Sequence, residues 1–268
     1  MYKLRDWIDI NKLHWYWLSQ IPNAIDLLEK NQNKINWSEL SLNTNAIHLL
    51  EQNQDKINWQ LLSENSSAIY LLEKNLVKID WKFLSRNTFA IHLLEQNQDK
   101  INWSCLSSNS SAIPLLEKNF DKIDWQYLSQ NSCAMHLLEK NQNKINWEYL
   151  SRNSSAISIL EENPYKINWK ELSRNSSAIP LLEKNPDKID WISISENVGA
   201  ISLFKKNQDK INWCFTTRNH SIFELDYNAL KERCEIYKEE LIQFALHPSR
   251  IQKYLDLGIS FEGLDDFI

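Results

Sequence analysis

The sequence predicts an all-α solenoid of 22-residue repeats, with two short helices per repeat and helical caps at both ends. Three observations carry that expectation. Trp15, Trp37, Trp59, Trp81, Trp103, Trp125, Trp147, Trp169, Trp191 and Trp213 follow one another at a constant interval of 22 residues, with no insertion. Within each interval the apolar residues keep helical spacing, as in Ala46-Ile47-x-Leu49-Leu50, rather than the alternation of a strand. The 268 residues include only three glycines and six prolines, too few for a turn-rich β architecture.

Positions are counted here from each Trp as zero. Leu recurs at +3, Ser at +4, Asn at +6, Ala at +9, Ile at +10, Leu at +12 and +13, Glu at +14, Asn at +16, Lys at +19, Ile at +20 and Asn or Asp at +21. The residue at +21 is Asn36, Asp80, Asp124 or Asp190 in four of the copies, a good helix N-cap. A short helix, the Trp helix, is therefore expected to start at each Trp. A second, the Leu helix, covers the +10 to +15 stretch. Its start is bounded by Pro114 and Pro180 at +11, which are tolerated only in a first turn. The cap is accordingly expected near Ser111 and Ser177, or one residue earlier. The helix is expected to end at the +16 Asn in a left-handed conformation, with Pro164 and Pro186 just beyond it. Helices this short are not stable alone in water, so they must bury their faces against neighbours.

The expected organisation is an N-terminal cap at 1–14, a solenoid of about nine repeats at 15–225, and a C-terminal helical cap at 226–268. Trp7, Ile8, Ile10 and Leu13 supply apolar groups to cover the first repeat. The last repeats are irregular: Ile194 stands for Leu, Thr216 and Thr217 for Leu-Ser, and Phe204 for Leu. Beyond them a helix is expected from about Asn228, broken at Pro248 and resumed at Ser249. Residues from Asp226 onward hold nine acids and five bases, so −4 of the net −5 lies there and the repeats are close to neutral.

A helical wheel divides the Trp helix into two faces. Trp, Leu at +3 and Ser at +4 share one, which assigns Trp37, Trp59, Trp81, Trp103, Trp125, Trp147, Trp169 and Trp191 to the structural core. The +6 asparagines, Asn43, Asn65, Asn87, Asn109, Asn131, Asn153 and Asn175, lie in tight connections, where stacked amides form a ladder that satisfies loop backbone groups. Positions +2 and +5 point away from the core, and there the copies differ. Phe83, Arg86, Tyr127, Tyr149, Arg152, Arg174 and Arg218 make an outward row of aromatic and arginine side chains, a composition suited to a protein-binding surface. The +19 lysines are expected to pair with acids of the adjacent turn.

No nucleophile motif, P-loop or dinucleotide fingerprint occurs, so an enzyme is not expected, and neither is a cofactor or metal. His48, His92 and His136 share the +11 phase in alternate repeats, too far apart to share an ion. The near-neutral repeats disfavour nucleic acid as partner. No apolar run is long enough to span a membrane. The absence of a signal-like N-terminus and the unpaired spacing of Cys105, Cys133, Cys214 and Cys234 point to reduced thiols in a cytosolic compartment.

The unit KINWxxLSxNxxAIxLLEKN, as in Lys144 to Asn163, resembles the short Trp/Asn-rich repeats of giant DNA virus proteins, and so do the opening MYKLRDWI and the closing ALHPSRIQKYLDLG. The resemblance covers nearly the whole chain. It implies a viral protein in the cytoplasm of an infected cell or in the virion, and it carries no activity or set of functional residues. The leading expectation is a non-enzymatic scaffold that binds a viral or host protein. The alternatives are a self-associating virion component, hence a homo-oligomer, and a repeat protein that binds single-stranded RNA.

Overall fold

From Trp37 onward, the Asn or Asp before each repeat Trp starts a helix, as its position suggests. Asn102 Oδ1 accepts from Cys105 N at 2.9 Å, and Asp124 Oδ1 accepts from Gln126 N and Tyr127 N at 3.1 and 3.3 Å. The computed structural model describes residues 1–256, an all-α solenoid in which this local event recurs from repeat to repeat. Two compact units are distinguished among the described residues: Lys3–Glu224, which holds the repeats, and Met1–Tyr2 together with residues 225–256.

The repeat that begins at Trp103 shows the pattern. The Trp helix runs Trp103–Ser107, a 3-10 turn follows at Ser110–Ala112, the Leu helix runs Ile113–Lys118, and a second 3-10 turn spans Phe120–Lys122. Pro114 sits in the first turn of the Leu helix. The cap ahead of it is not Ser111 but Asn109, whose Oδ1 accepts from Ser111 N at 3.0 Å; the same holds for Asn175 and Ser177. The 3-10 turn displaces the cap by two residues, and the serines lie inside that turn. The +16 Asn also differs from expectation. Asn119 has φ −127° and ψ 51°, outside the left-handed region, because the chain passes straight into the next 3-10 turn. Its Nδ2 reaches back to Leu115 O at 2.9 Å and satisfies a carbonyl at the helix end.

Leu106, Ala112, Leu116 and Ser107 are fully buried, and their equivalents are buried throughout the array. The serine is a joint between repeats. Ser107 Oγ donates to Trp103 O at 2.8 Å and accepts from Asp124 N, the residue ahead of the next Trp, at 3.0 Å. The +6 asparagines form a second joint. Asn109 Nδ2 donates to Ser85 O and Asn87 O, both at 3.1 Å, and Asn131 repeats this on Ser107 O and Asn109 O. The series continues through Asn43, Asn65, Asn87, Asn153, Asn175, Asn197 and Asn219.

The tryptophans expected in the core are only half-buried. One face of most of these rings is covered by the +19 Lys instead. Lys56 lies over Trp37 with Nζ 4.2 Å from the ring centroid, Lys122 over Trp103 at 4.5 Å and Lys166 over Trp147 at 4.2 Å. The expected pairing of these lysines with acids is found only at Lys188, which meets Asp187 at 3.6 Å, among the described residues. An indole left open on one face attracts an ammonium group, and the lysine stem also shields it from water. Lys122→Ala should therefore lower stability by about 0.5–1 kcal/mol in urea unfolding. Lys118→Ala, exposed and without such a ring, should leave it within about 0.5 kcal/mol.

The N-terminal segment is not a cap over an open end. It completes the tenth repeat. Asn11-Lys12-Leu13-His14-Trp15 stands in the same register as Asn-Lys-Ile-Asn-Trp elsewhere, and Ile10–Lys12 forms the corresponding 3-10 turn. His14 N donates to Thr217 Oγ1 at 3.2 Å, which is the serine joint. Lys12 lies 4.9 Å from the Trp213 centroid, which is the lysine–indole contact. Asn23 Nδ2 donates to His220 O at 3.4 Å, the bond that Asn45 makes to Pro22 O one repeat later. The first and last repeats are thus neighbours, and the array closes on itself. Ile21 occupies the +6 position of the first repeat, so the Asn ladder is interrupted at this seam. Arg5 bridges it instead: its backbone N donates to Ile222 O at 3.0 Å, its Nε to Ser221 O at 2.8 Å, and its Nη1 pairs with Glu224 at 2.9 Å. Two short strands, Tyr2–Leu4 and Phe223–Leu225, pair in the same region.

Of the expected C-terminal cap, helices Tyr227–Ala245 and Pro248–Asp256 are described, and residues 257–268 lie outside the described residues. Pro248 opens the second helix rather than separating the two, as suits a proline whose missing N–H has no helical acceptor.

Candidate functional site

The wheel separated core from non-core positions; the packing says which non-core side faces inward. Consecutive Trp helices pack directly on one another, as Trp59–Glu64 does on Trp81–Leu84 and Trp125–Ser129 on Trp147–Ser151, whereas the Leu helices make weaker contact with each other. In a curved array the closely spaced helices line the inner side. A cavity of about 600 Å3 agrees, since it is lined by the +5 residues of five successive repeats: Glu64, Arg86, Ser108, Gln130 and Arg152. On a concave face those side chains converge. Positions +2 and +5 therefore do not face outward, as expected from the wheel, but form the inner wall.

That wall has two different arcs. In one, ion pairs run from repeat to repeat. Glu171 meets Arg174 at 3.0 Å, Arg174 meets Glu196 at 3.3 Å, and Glu196 meets Arg218 at 2.9 Å. Arg218 then lies flat over the ring of Trp17, 3.4 Å from its centroid, across the seam of the array. These side chains are each less than about one-third exposed, so their guanidinium donors are committed within the protein.

The other arc is open. Arg86, Tyr127, Tyr149 and Arg152 line the cavity together with Glu64, Ser108 and Gln130. The rings of Tyr127 and Tyr149 meet edge to face with centroids 5.6 Å apart. Arg86 stands 3.8 Å from Glu64, too far for a hydrogen bond. Burial raises the Glu64 carboxyl above its ordinary value, and Arg86 opposes that shift without cancelling it. Arg152 Nε is 3.2 Å from Glu171 Oε2, yet out of line, so Oε2 has no hydrogen-bond partner.

Of the seven residues singled out from the sequence, Arg86, Tyr127, Tyr149 and Arg152 share this cavity. Arg174 and Arg218 belong to the ion-pair arc. Phe83 is half-buried and does not line the cavity. Glu64, Ser108, Gln130, Glu171 and Glu196 also stand on this wall, although their side chains are neither aromatic nor basic. Their shared +2 and +5 register was the signal that links them. No family model, curated protein or solved structure matches the chain.

The histidines at +11 each meet the +14 Glu of the preceding repeat: His48 with Glu29 at 2.8 Å, and His92 with Glu73 and His136 with Glu117 at 2.9 Å. No cluster of three potential metal ligands occurs among the described residues, and no helix among them is long and apolar enough to cross a membrane.

Proposed function

We propose that the protein is a non-enzymatic binding scaffold that holds a segment of a partner protein, viral or host, against the inner wall of its repeat array. One observation carries this reading: positions that vary between otherwise uniform repeats come together in one cavity, where the phenols of Tyr127 and Tyr149 are free and the guanidinium groups of Arg86 and Arg152 are only loosely paired. Joints, core and outer lysines repeat with little change, as a scaffold requires. The likeness to giant-virus repeats directs the search for the partner to infected cells.

Changing Tyr127, Tyr149 and Arg152 together to Ala tests the reading. None of the three makes a hydrogen bond that holds the fold through its side chain, so the circular dichroism and melting temperature should move little. Partner recovery in quantitative pull-down from infected cells should fall by roughly tenfold or more relative to wild type, the loss typical of a hot-spot cluster. Equal recovery by both proteins sinks the idea.

Self-association as a structural component is the second reading. Leu76, Val77 and Phe89 support it, because all three are exposed apolar side chains in adjacent repeats. A strict monomer by light scattering at high concentration removes it. Single-stranded RNA is favoured less: Tyr127 and Tyr149 are turned edge to face rather than parallel, and lysines already cover one face of most tryptophans.

A further inference from the structure

The four arginines of the inner wall are in different states. Arg174 donates to Glu171 and Glu196, and Arg218 donates to Glu196 and stacks on Trp17. The guanidinium groups of Arg86 and Arg152 stand in looser ion pairs, with Glu64 at 3.8 Å and Glu171 at 3.2 Å, make no aligned side-chain hydrogen bond, and both open onto the same cavity. Each guanidinium offers five N–H donors in a planar fork that matches a carboxylate. The uncommitted hydroxyls of Tyr127 and Tyr149 and amide of Gln130 lie on the same wall. Each fork has one acid beside it, Glu64 by Arg86 and Glu171 by Arg152, but neither acid takes up the donors of its fork in an aligned hydrogen bond, so most of those donors stay open to the cavity.

We infer that this cavity recognises an acidic peptide: an extended segment whose Asp or Glu carboxylates engage the forks of Arg86 and Arg152, with Tyr127, Tyr149 and Gln130 bonding its backbone. The inference rests on the protein-binding reading and names the class of segment bound. A peptide fits better than a nucleic acid for two reasons. Glu64 on the wall and Glu171 beside Arg152 repel a continuous line of phosphates, whereas a peptide places its charges singly. The tyrosine rings contact each other at 71° and leave no parallel gap for a base. The ion-pair arc shows the same recognition already satisfied within the chain, with Glu196 lying between Arg174 and Arg218 as a peptide carboxylate would lie against Arg86 or Arg152.

Selection from a displayed library of random-sequence peptides tests this, using the immobilised full chain and, in parallel, the full chain carrying Arg86→Gln and Arg152→Gln. Both proteins are first compared by circular dichroism and melting. The wild-type pool should be enriched in Asp and Glu, and the variant pool should not. A synthetic peptide from the enriched pool should lose roughly tenfold or more in affinity when its acids become Asn and Gln, when the double variant replaces wild type, and when salt is raised. A pool without acidic bias, or one that the double variant selects equally, overturns the inference. So does an oligouridylate that binds wild type more tightly than the selected peptides. If the acidic class fails while the Tyr127, Tyr149 and Arg152 triple variant still loses its partner, the protein-binding reading stands and only the class of segment is wrong.

Discussion

Asn131→Ala is expected to lower the stability of the folded chain by about 3 kcal/mol, far more than its size suggests. The side chain is almost wholly buried and makes three hydrogen bonds. Nδ2 donates to Ser107 O and Asn109 O at 3.1 and 3.0 Å, and Oδ1 accepts from Cys133 N at 3.1 Å. Truncation leaves those backbone groups in a dry joint, and each unmet buried group costs about 1–3 kcal/mol. The estimate stays near the low end because Asn109 O also accepts from Ala112 N. Urea unfolding should show a lower midpoint with little change in slope. Asn119→Ala provides the contrast. That half-buried side chain caps one carbonyl of its own helix and joins no repeats, so its loss should cost about 1 kcal/mol. Equal costs at the two positions would show that the ladder contributes nothing beyond local capping. The double variant Asn109→Ala with Asn131→Ala should depart from additivity, since Asn131 Nδ2 bonds Asn109 O and any shift of one connection moves the other.

Much of the repeat was legible because its signals are local. The Trp interval set the period, the residue ahead of each Trp set the start of a helix, and Pro114 and Pro180 bounded the next one. Those rules depend on backbone geometry over a few residues, and tertiary context did not overturn them. The misreadings have one common source: each side chain had several chemically sound partners, and distance in sequence does not choose among them. Lys122 stands beside Asp121 in sequence, yet it covers the indole of Trp103, because the ring is the apolar surface left open there. The wheel placed +2 and +5 opposite the core, but a helix in a curved array has two non-core sides, and only curvature says which is concave. Curvature is the sum of a small rotation per repeat, a quantity no single residue encodes. The cavity residues share a register that was visible in the sequence, while the commitment of Arg174 and Arg218 to Glu171 and Glu196 requires the distances between repeats.

Removal of residues 1–13 should unfasten both ends of the array at once. The segment buries Ile8 and Leu13, each worth about 1.5–3 kcal/mol, and it sets Trp7 against Trp213 with centroids 6.5 Å apart. It also supplies the Lys12 contact to Trp213 and the Arg5 bonds to Ser221 and Ile222. The expected loss is about 5 kcal/mol or more once these are combined. Hydrogen exchange distinguishes the closed array from an open one. In an open solenoid, an N-terminal cap protects only the repeat beside it, so deleting it would free amides around Trp15–Leu18 and leave those around Trp213–Thr216 unchanged. Here the deleted residues are the second half of the tenth repeat, so protection should fall at both helices, although they stand at opposite ends of the repeat sequence. The middle of the array, around Trp103–Ser107, should keep its protection, because its neighbours on both sides remain. A synthetic peptide of residues 1–14 added back should restore protection at both ends together. Should deprotection be confined to the first repeat, closure would be wrong, and with it the placing of Arg218 over Trp17 on the inner wall. Trp7→Ala offers a milder form of the same test for a truncated chain that fails to fold: it removes one ring from the seam and leaves Arg5 and Lys12 in place.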